Sequence, residues 1–81
     1  MTRLIIDRAK WGRGFFGYSE GKCCALGFFV KQVPDTDLVM RRWDIMRAND
    51  LMPDGPERER RIADLFAEAG VEVVYEGVYA P

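Results

Sequence analysis

Side chains capable of reaction chemistry are scarce in this chain. Its 81 residues include no histidine, one serine, Ser19, and two cysteines, Cys23 and Cys24, that are neighbours. A cysteine nucleophile usually needs a base such as histidine, and structural zinc needs four nitrogen or sulfur ligands. We therefore predict no catalytic residue, no metal site and no cofactor. Both thiols should be reduced and should pack as small apolar groups, the alternative being a metal ion shared between two copies.

Carboxylates and glycines offer two further kinds of site. The chain has 13 acidic residues, and paired carboxylates can hydrolyse glycosides or hold Mg²⁺. Most of them lie near arginines, as Asp7 does beside Arg8, which is typical of solvated ion pairs. Asn49 and Asp50 come shortly before a proline, which favours helix-end or turn structure over a pair of ligands. The glycine-rich segment 12–17 matches neither common phosphate-binding motif.

Aromatic and basic residues are interleaved between positions 10 and 22. Such a segment can stack on single-stranded nucleic acid, form a hot spot for a protein partner, or fill the core of a hairpin. The residues that we assign to partner binding in this segment are Trp11, Arg13, Phe15, Phe16 and Tyr18. A second basic cluster, on a following helix, adds Arg41, Arg42 and Arg47 to this assignment. We interpret the arginines at positions 58, 60 and 61, which alternate with acids, as part of a solvated face.

The first half of the chain predicts one strand, a hairpin and two helices. Residues 3–7 are aliphatic and β-branched, which favours a strand, and a glycine-rich hairpin follows with its tip at residues 19–21. Residues 24–32 favour a buried helix that ends before a proline, the alternative for residues 22–32 being a strand that forms the second arm of the hairpin. In the next helix, which ends near residue 49, the apolar stripe is Val39, Trp43 and Met46, and Asp35 or Thr36 can cap its start.

The second half predicts one further helix and a closing strand. Asp54 and Glu57 have the spacing of a capping box around a proline. The apolar stripe of this helix is Ile62, Leu65, Phe66 and Ala69, and Gly70 ends it. Residues 71–75 then form a strand. We predict one α+β domain over residues 1–81, in which a small antiparallel sheet of the terminal strands plus the hairpin is covered by two or three helices.

The formal charge of −1 gives no global attraction to nucleic acid or to anionic lipid. No segment is long and apolar enough to cross a bilayer, and the first residues do not resemble a secretory signal. We therefore expect a cytoplasmic protein with no membrane partner. A domain this small has a thin stability margin, so a homodimer would be a natural supplement to its core.

Four segments together resemble small uncharacterised proteins of bacteriophages and prophages over nearly the whole chain. They are KWxRG at residue 10, GKxCCLGF at residue 21, ND at residue 49, and RxxxIxxLFxxxGVxV from residue 58. In the second segment only Cys24 holds a pattern cysteine and Ala25 takes the place of the other, and the stretch from Pro34 to Asp50 is shorter than in that pattern. No biochemical activity comes with the resemblance.

A phage-type origin implies a protein that works by binding in the cytoplasm of a host cell. Small phage proteins without cofactors commonly block host proteins, including components of defence systems such as CRISPR complexes. We therefore predict a non-enzymatic protein that binds a host protein and inhibits or redirects it. The alternative is a nucleic-acid-associated regulator that uses the hairpin at residues 10–22, and a third hypothesis is an enzyme that uses carboxylates alone.

Overall fold

A computed structural model describes residues 2–13, 22–33 and 41–80 of the chain. In the described parts the elements are strand β1 (Thr2–Asp7), a 3-10 turn (Arg8–Lys10), helices α1 (Ala25–Gln32), α2 (Arg42–Leu51) and α3 (Pro56–Ala67), and strand β2 (Val71–Glu76). The α+β class is therefore confirmed, as is the predicted helix after the two cysteines. The tip of the predicted hairpin and the predicted cap of the second helix lie outside the described residues.

The two terminal strands pair as predicted, but they run parallel. Thr2 is the register partner of Val71, and Asp7 is the partner of Glu76. The antiparallel prediction was wrong because side-chain alternation is the same for both strand directions. Parallel strands need a crossover connection of a dozen residues or more, and the helices between β1 and β2 supply one. Within the described residues, the arms of the predicted hairpin meet only in a parallel bridge between Trp11 and Cys23.

The core lies between one face of this sheet and the helices. Leu4 and Ile6 of β1 and Val71 of β2 are fully buried there. Helices α1 and α3 contact the sheet through β1 and β2 respectively, and α2 packs against both helices. The rings of Phe29 in α1 and Phe66 in α3 have centroids 5.4 Å apart, which joins the two helices over the sheet.

Helix α3 confirms most of its predicted stripe. Ile62, Leu65 and Phe66 are buried, whereas Ala69 is exposed because the helix ends two residues before it. The predicted capping box does not form, since the N-cap residue is Gly55 and no side chain caps the helix, which begins at Pro56. The carboxylate of Asp54 instead accepts bonds from arginine side chains.

Helix α2 buries a different face from the one predicted. Its buried residues are Ile45, Ala48 and Asn49, whose spacing of i, i+3 and i+4 is that of one helix face. Trp43 precedes Ile45 by two residues, which places it about 200° around the helix, and its side chain is 61% exposed. Met46 is half-buried against the core. The predicted stripe was therefore wrong at Trp43, and Val39 lies outside the described residues.

None of the helices among the described residues is both long enough and apolar enough to span a membrane.

Candidate interaction sites

The two cysteines are free and buried in the core. Burial raises the pKa of the Cys23 thiol to about 11 and also raises the pKa of Cys24. Both groups are therefore protonated near neutral pH and are poor nucleophiles. Their predicted packing inside the core is confirmed. The part of the chain that the structure describes contains no group of three or more His, Cys, Asp or Glu residues that could hold a metal ion.

The side chain of Asn49 is a hydrogen-bond junction in the core. It is 1% exposed. Its Oδ1 accepts bonds from the indole Nε1 of Trp11 at 2.5 Å and from the backbone N–H of Ala25 at 2.9 Å. Its Nδ2 donates to the carbonyl of Gly12 and to the carboxylate of Asp50, both at 3.0 Å. One amide therefore fixes α2 against the start of α1 and against the segment after β1.

Arg58 is buried beside Asn49 and does not belong to a solvated face, so that interpretation was wrong for this arginine. Its side chain is 1% exposed, Nη1 donates to the carbonyl of Asn49 at 3.0 Å, and Nη2 lies 3.0 Å from the carboxylate of Asp54. The guanidinium carbon lies 3.7 Å from the centroid of the Trp11 ring, a cation–π distance. Nη1 and Nη2 are thus bonded, while Nε has no hydrogen-bond partner among the described residues.

Two tyrosines extend this cluster to the end of the chain. The ring of Trp11 stacks on Tyr75 and on Tyr79, with centroids 5.4 and 5.9 Å apart. The hydroxyl of Tyr79 donates to the carboxylate of Glu59 at 2.6 Å, and that of Tyr75 donates to the carbonyl of Glu59 at 2.7 Å. Arg8 adds two bonds to the same carboxylate, at 3.0 and 2.7 Å.

Arg8, Glu59, Tyr75 and Tyr79 form a polar cluster, which is suited to holding elements together and not to proton transfer. The hydrogen bond from Arg8 lowers the pKa of Glu59, which keeps the carboxylate ionised. Burial raises the pKa of both Tyr75 and Tyr79, which keeps their hydroxyls protonated. These shifts move the pKa values of Glu59, Tyr75 and Tyr79 further from neutral pH, where a general acid or base would need to titrate.

The predicted partner-binding residues have different positions in the structure. Trp11 is buried in the core, and Arg13 donates to the carbonyls of Asn49 and Asp50, both at 2.9 Å, and pairs with Asp54 at 2.8 Å. Partner contacts at both residues stay predictions. Phe15, Phe16 and Tyr18 lie outside the described residues.

The predicted arginines around the start of α2 also differ from one another. Arg41 pairs with Asp44 at 3.2 Å and with Glu68 at 2.8 Å, so its charge is balanced within the chain. The guanidinium of Arg42 lies 5.4 Å from the ring centroid of Trp43. Arg47 is exposed, and it forms no ion pair with the residues that the structure describes.

The outer side of α2 carries a row of exposed residues, of which sequence reasoning assigned Arg47 to partner binding and missed the other two. Trp43, Arg47 and Leu51 follow one another at i, i+4 and i+8, and Leu51 is 77% exposed. A shallow groove of about 280 Å³ runs beside the row. The residues that line it are Asp44, Arg47, Ala48, Leu51, Met52 and Arg61. We call the row, Arg42 and this groove the α2 face.

Basic charge predominates on the α2 face. Arg42, Arg47 and Arg61 form no ion pair with any described residue. The carboxylate of Asp44, in contrast, is paired with Arg41. An exposed tryptophan among unpaired arginines has the composition that is enriched in the hot spots of protein interfaces.

Comparisons with protein-family models, with curated proteins and with solved structures find no match to this chain.

Proposed function

We propose that this chain is a non-enzymatic interaction protein that binds a host protein and inhibits or redirects it. The observation that carries the proposal is the exposure of Trp43 at 61% on a helix whose other face is packed in the core. Exposure of a large aromatic side chain to water is unfavourable, and burial of that side chain against a partner surface would remove the cost. The α2 face is the contact surface in this proposal.

The chemistry of the α2 face favours an acidic protein surface as its partner. Its unpaired arginines would steer and orient carboxylates, and Leu51 with the groove residue Met52 provides apolar area for an aliphatic or aromatic anchor. The resemblance to phage proteins supports a host partner, and components of bacterial defence systems, CRISPR complexes among them, are the class that it implies. In the polar cluster, the pKa values of Glu59, Tyr75 and Tyr79 are shifted away from neutral pH, which supports a function without catalysis.

Site-specific photo-crosslinking in host cells tests this proposal. A crosslinking amino acid replaces Trp43 in one variant and Val78, which is 77% exposed and lies outside the α2 face, in a control variant. We expect a nuclease-resistant protein adduct at position 43 that is absent at position 78. With the purified partner, Trp43→Ala should weaken binding by tens of fold, because loss of a hot spot costs about 2 kcal/mol or more.

Two results would count against the proposal. An adduct at position 43 that nuclease removes would support the alternative, a nucleic-acid-associated regulator. Equal adducts at positions 43 and 78 would mean that the α2 face has no special role in binding.

A further inference from the structure

The two edges of the sheet differ in how their backbone groups are satisfied. On the outer edge of β1, the side chain of Gln32 bonds to Ile5 twice. Its Oε1 accepts from the N–H at 2.9 Å, and its Nε2 donates to the carbonyl at 2.7 Å. A carboxamide at this position replaces the peptide group of a neighbouring strand. The edge of β1 is therefore closed at its middle by the chain itself.

The outer edge of β2 has no such closure among the described residues. Because the peptide groups of Ile5 point outwards, those of Leu4 point towards β2 and bond to either side of Val73. The peptide groups of Val73 and Tyr75 must then point away from β1. No hydrogen bond between described residues reaches them. An open strand edge is a template for pairing with another strand.

One face of the sheet is also open. Ile5 and Val74 are register partners on the face away from the helices, and Ile5 is 38% exposed. Parallel sheets are almost always covered on both faces, and a two-stranded sheet is marginal without further strands or helices. The open edge and the open face meet at β2. This strand contains neither proline nor lysine, the residues that most often block pairing with another strand.

We propose that β2 pairs with β2 of a second copy of this chain, in an antiparallel arrangement around a two-fold axis at Val73. The two chains then share one sheet of four strands in the order β1, β2, β2, β1. This pairing uses the outward peptide groups of Val73 and Tyr75 and also those of Val71, because Val71 of one copy lies opposite Tyr75 of the other. It is separate from the α2 face and does not rest on the proposed function.

The acidic residues of β2 select this register. With Val73 on the axis, Glu72 lies opposite Val74 of the second copy, and Glu76 lies opposite Gly70. A shift of the axis to Val74 would place Glu72 opposite Glu76 twice, and an axis at Glu72 would place that residue opposite itself. Like charges directly opposite each other are destabilising in antiparallel pairs. Of the registers centred on Glu72, Val73 and Val74, only the one at Val73 keeps the carboxylates apart. An axis at Tyr75 would also separate them, but it pairs three residues of β2 with the second copy, whereas the axis at Val73 pairs five.

Sedimentation equilibrium on the purified chain, from micromolar to millimolar concentration, tests this inference with a pair of charge variants. In Val74→Lys each introduced ammonium faces Glu72 of the second copy, whereas in Val74→Glu two carboxylates face each other. We expect the parent to form dimers. Because two cross-strand pairs change at once, Val74→Lys should lower the dissociation constant about fivefold and Val74→Glu should raise it by a similar factor.

Val78→Lys and Val78→Glu are the matched controls, because they change the net charge equally at an exposed position outside the strand. Their dissociation constants should stay within about twofold of the parent value. Circular dichroism at low concentration checks that every variant is folded. A parent that stays monomeric at millimolar concentration overturns the inference. It is also overturned if Val74→Lys weakens the dimer, or if the Val78 pair shifts it as much as the Val74 pair does.

Discussion

A single amide carries much of the specificity of this core. The side chain of Asn49 has four hydrogen-bond partners from three parts of the chain, and its backbone carbonyl accepts from Arg13 and Arg58. Buried polar groups are costly unless they are satisfied, and networks that satisfy them define one arrangement of a core. Asn49 and Arg58 were not identified from the sequence as core residues, because both types are usually exposed.

Replacement of Asn49 should therefore be far more damaging than its size indicates. Asn49→Ala leaves the indole N–H of Trp11 and the N–H of Ala25 without an acceptor in the core. Since each unsatisfied buried group costs about 1 to 3 kcal/mol, we expect a loss of about 3 kcal/mol or more in the free energy of unfolding. Urea denaturation measures it.

Val78→Ala, at an exposed position, is the control for this replacement and should cost less than about 0.5 kcal/mol. A loss below about 1 kcal/mol for Asn49→Ala would contradict the assigned role of the amide, given the usual cost of an unpaired buried group.

At the scale of elements, helix α3 was predicted well and α2 was not, and the reason is periodicity. In α3 the apolar residues Ile62, Leu65 and Phe66 have one consistent helical spacing. In α2 a large apolar residue, Trp43, defined a stripe that competed with the real one, in which the polar Asn49 faces the core. Strand positions followed from composition, but their direction depends on the path of the chain through the helices, which alternation does not encode.

A matched pair of aromatic truncations distinguishes the buried and exposed faces of these two helices. Phe66 is fully buried and Trp43 is mostly exposed. Phe66→Ala should cost about 3 to 5 kcal/mol, enough to unfold a domain of this size, whereas Trp43→Ala should change stability by less than about 1 kcal/mol. Thermal melts followed by circular dichroism provide the measurement. A melting temperature of Phe66→Ala within a few degrees of the parent would show that the core lies elsewhere.

For the whole molecule, the buried thiols and the buried tyrosine hydroxyl make the free energy of unfolding depend on pH in the alkaline range. The pKa of Cys23 is raised to about 11 from 9.0, and burial also raises the pKa of Cys24 and of Tyr75. Groups with a raised pKa in the folded state bind protons more strongly there than in the unfolded chain. For Cys23 this contribution to stability is complete below about pH 9 and is lost as the pH rises towards 11, whereas the contribution of Tyr75 begins to fall only above about pH 10.

We therefore expect the urea midpoint to be flat near neutral pH and to fall between about pH 9 and pH 11. Cys23→Ala should make the fall shallower, while its lower stability at pH 7 reports the packing loss alone. A midpoint that does not change up to pH 11 would show that the thiols reach water in the folded protein.

The parallel pairing of β1 and β2 also decides how the molecule responds to mechanical force. In a parallel pair the start of β1 and the end of β2 lie at opposite ends of the ladder, which here contains six residue pairs. Tension applied between those two points slides one strand along the other, so the hydrogen bonds share the load and must yield together. In an antiparallel pair the same pull would open the bonds one after another from one end. Strands β1 and β2 thus resist tension between these two points in shear, with all the hydrogen bonds of the ladder loaded at once.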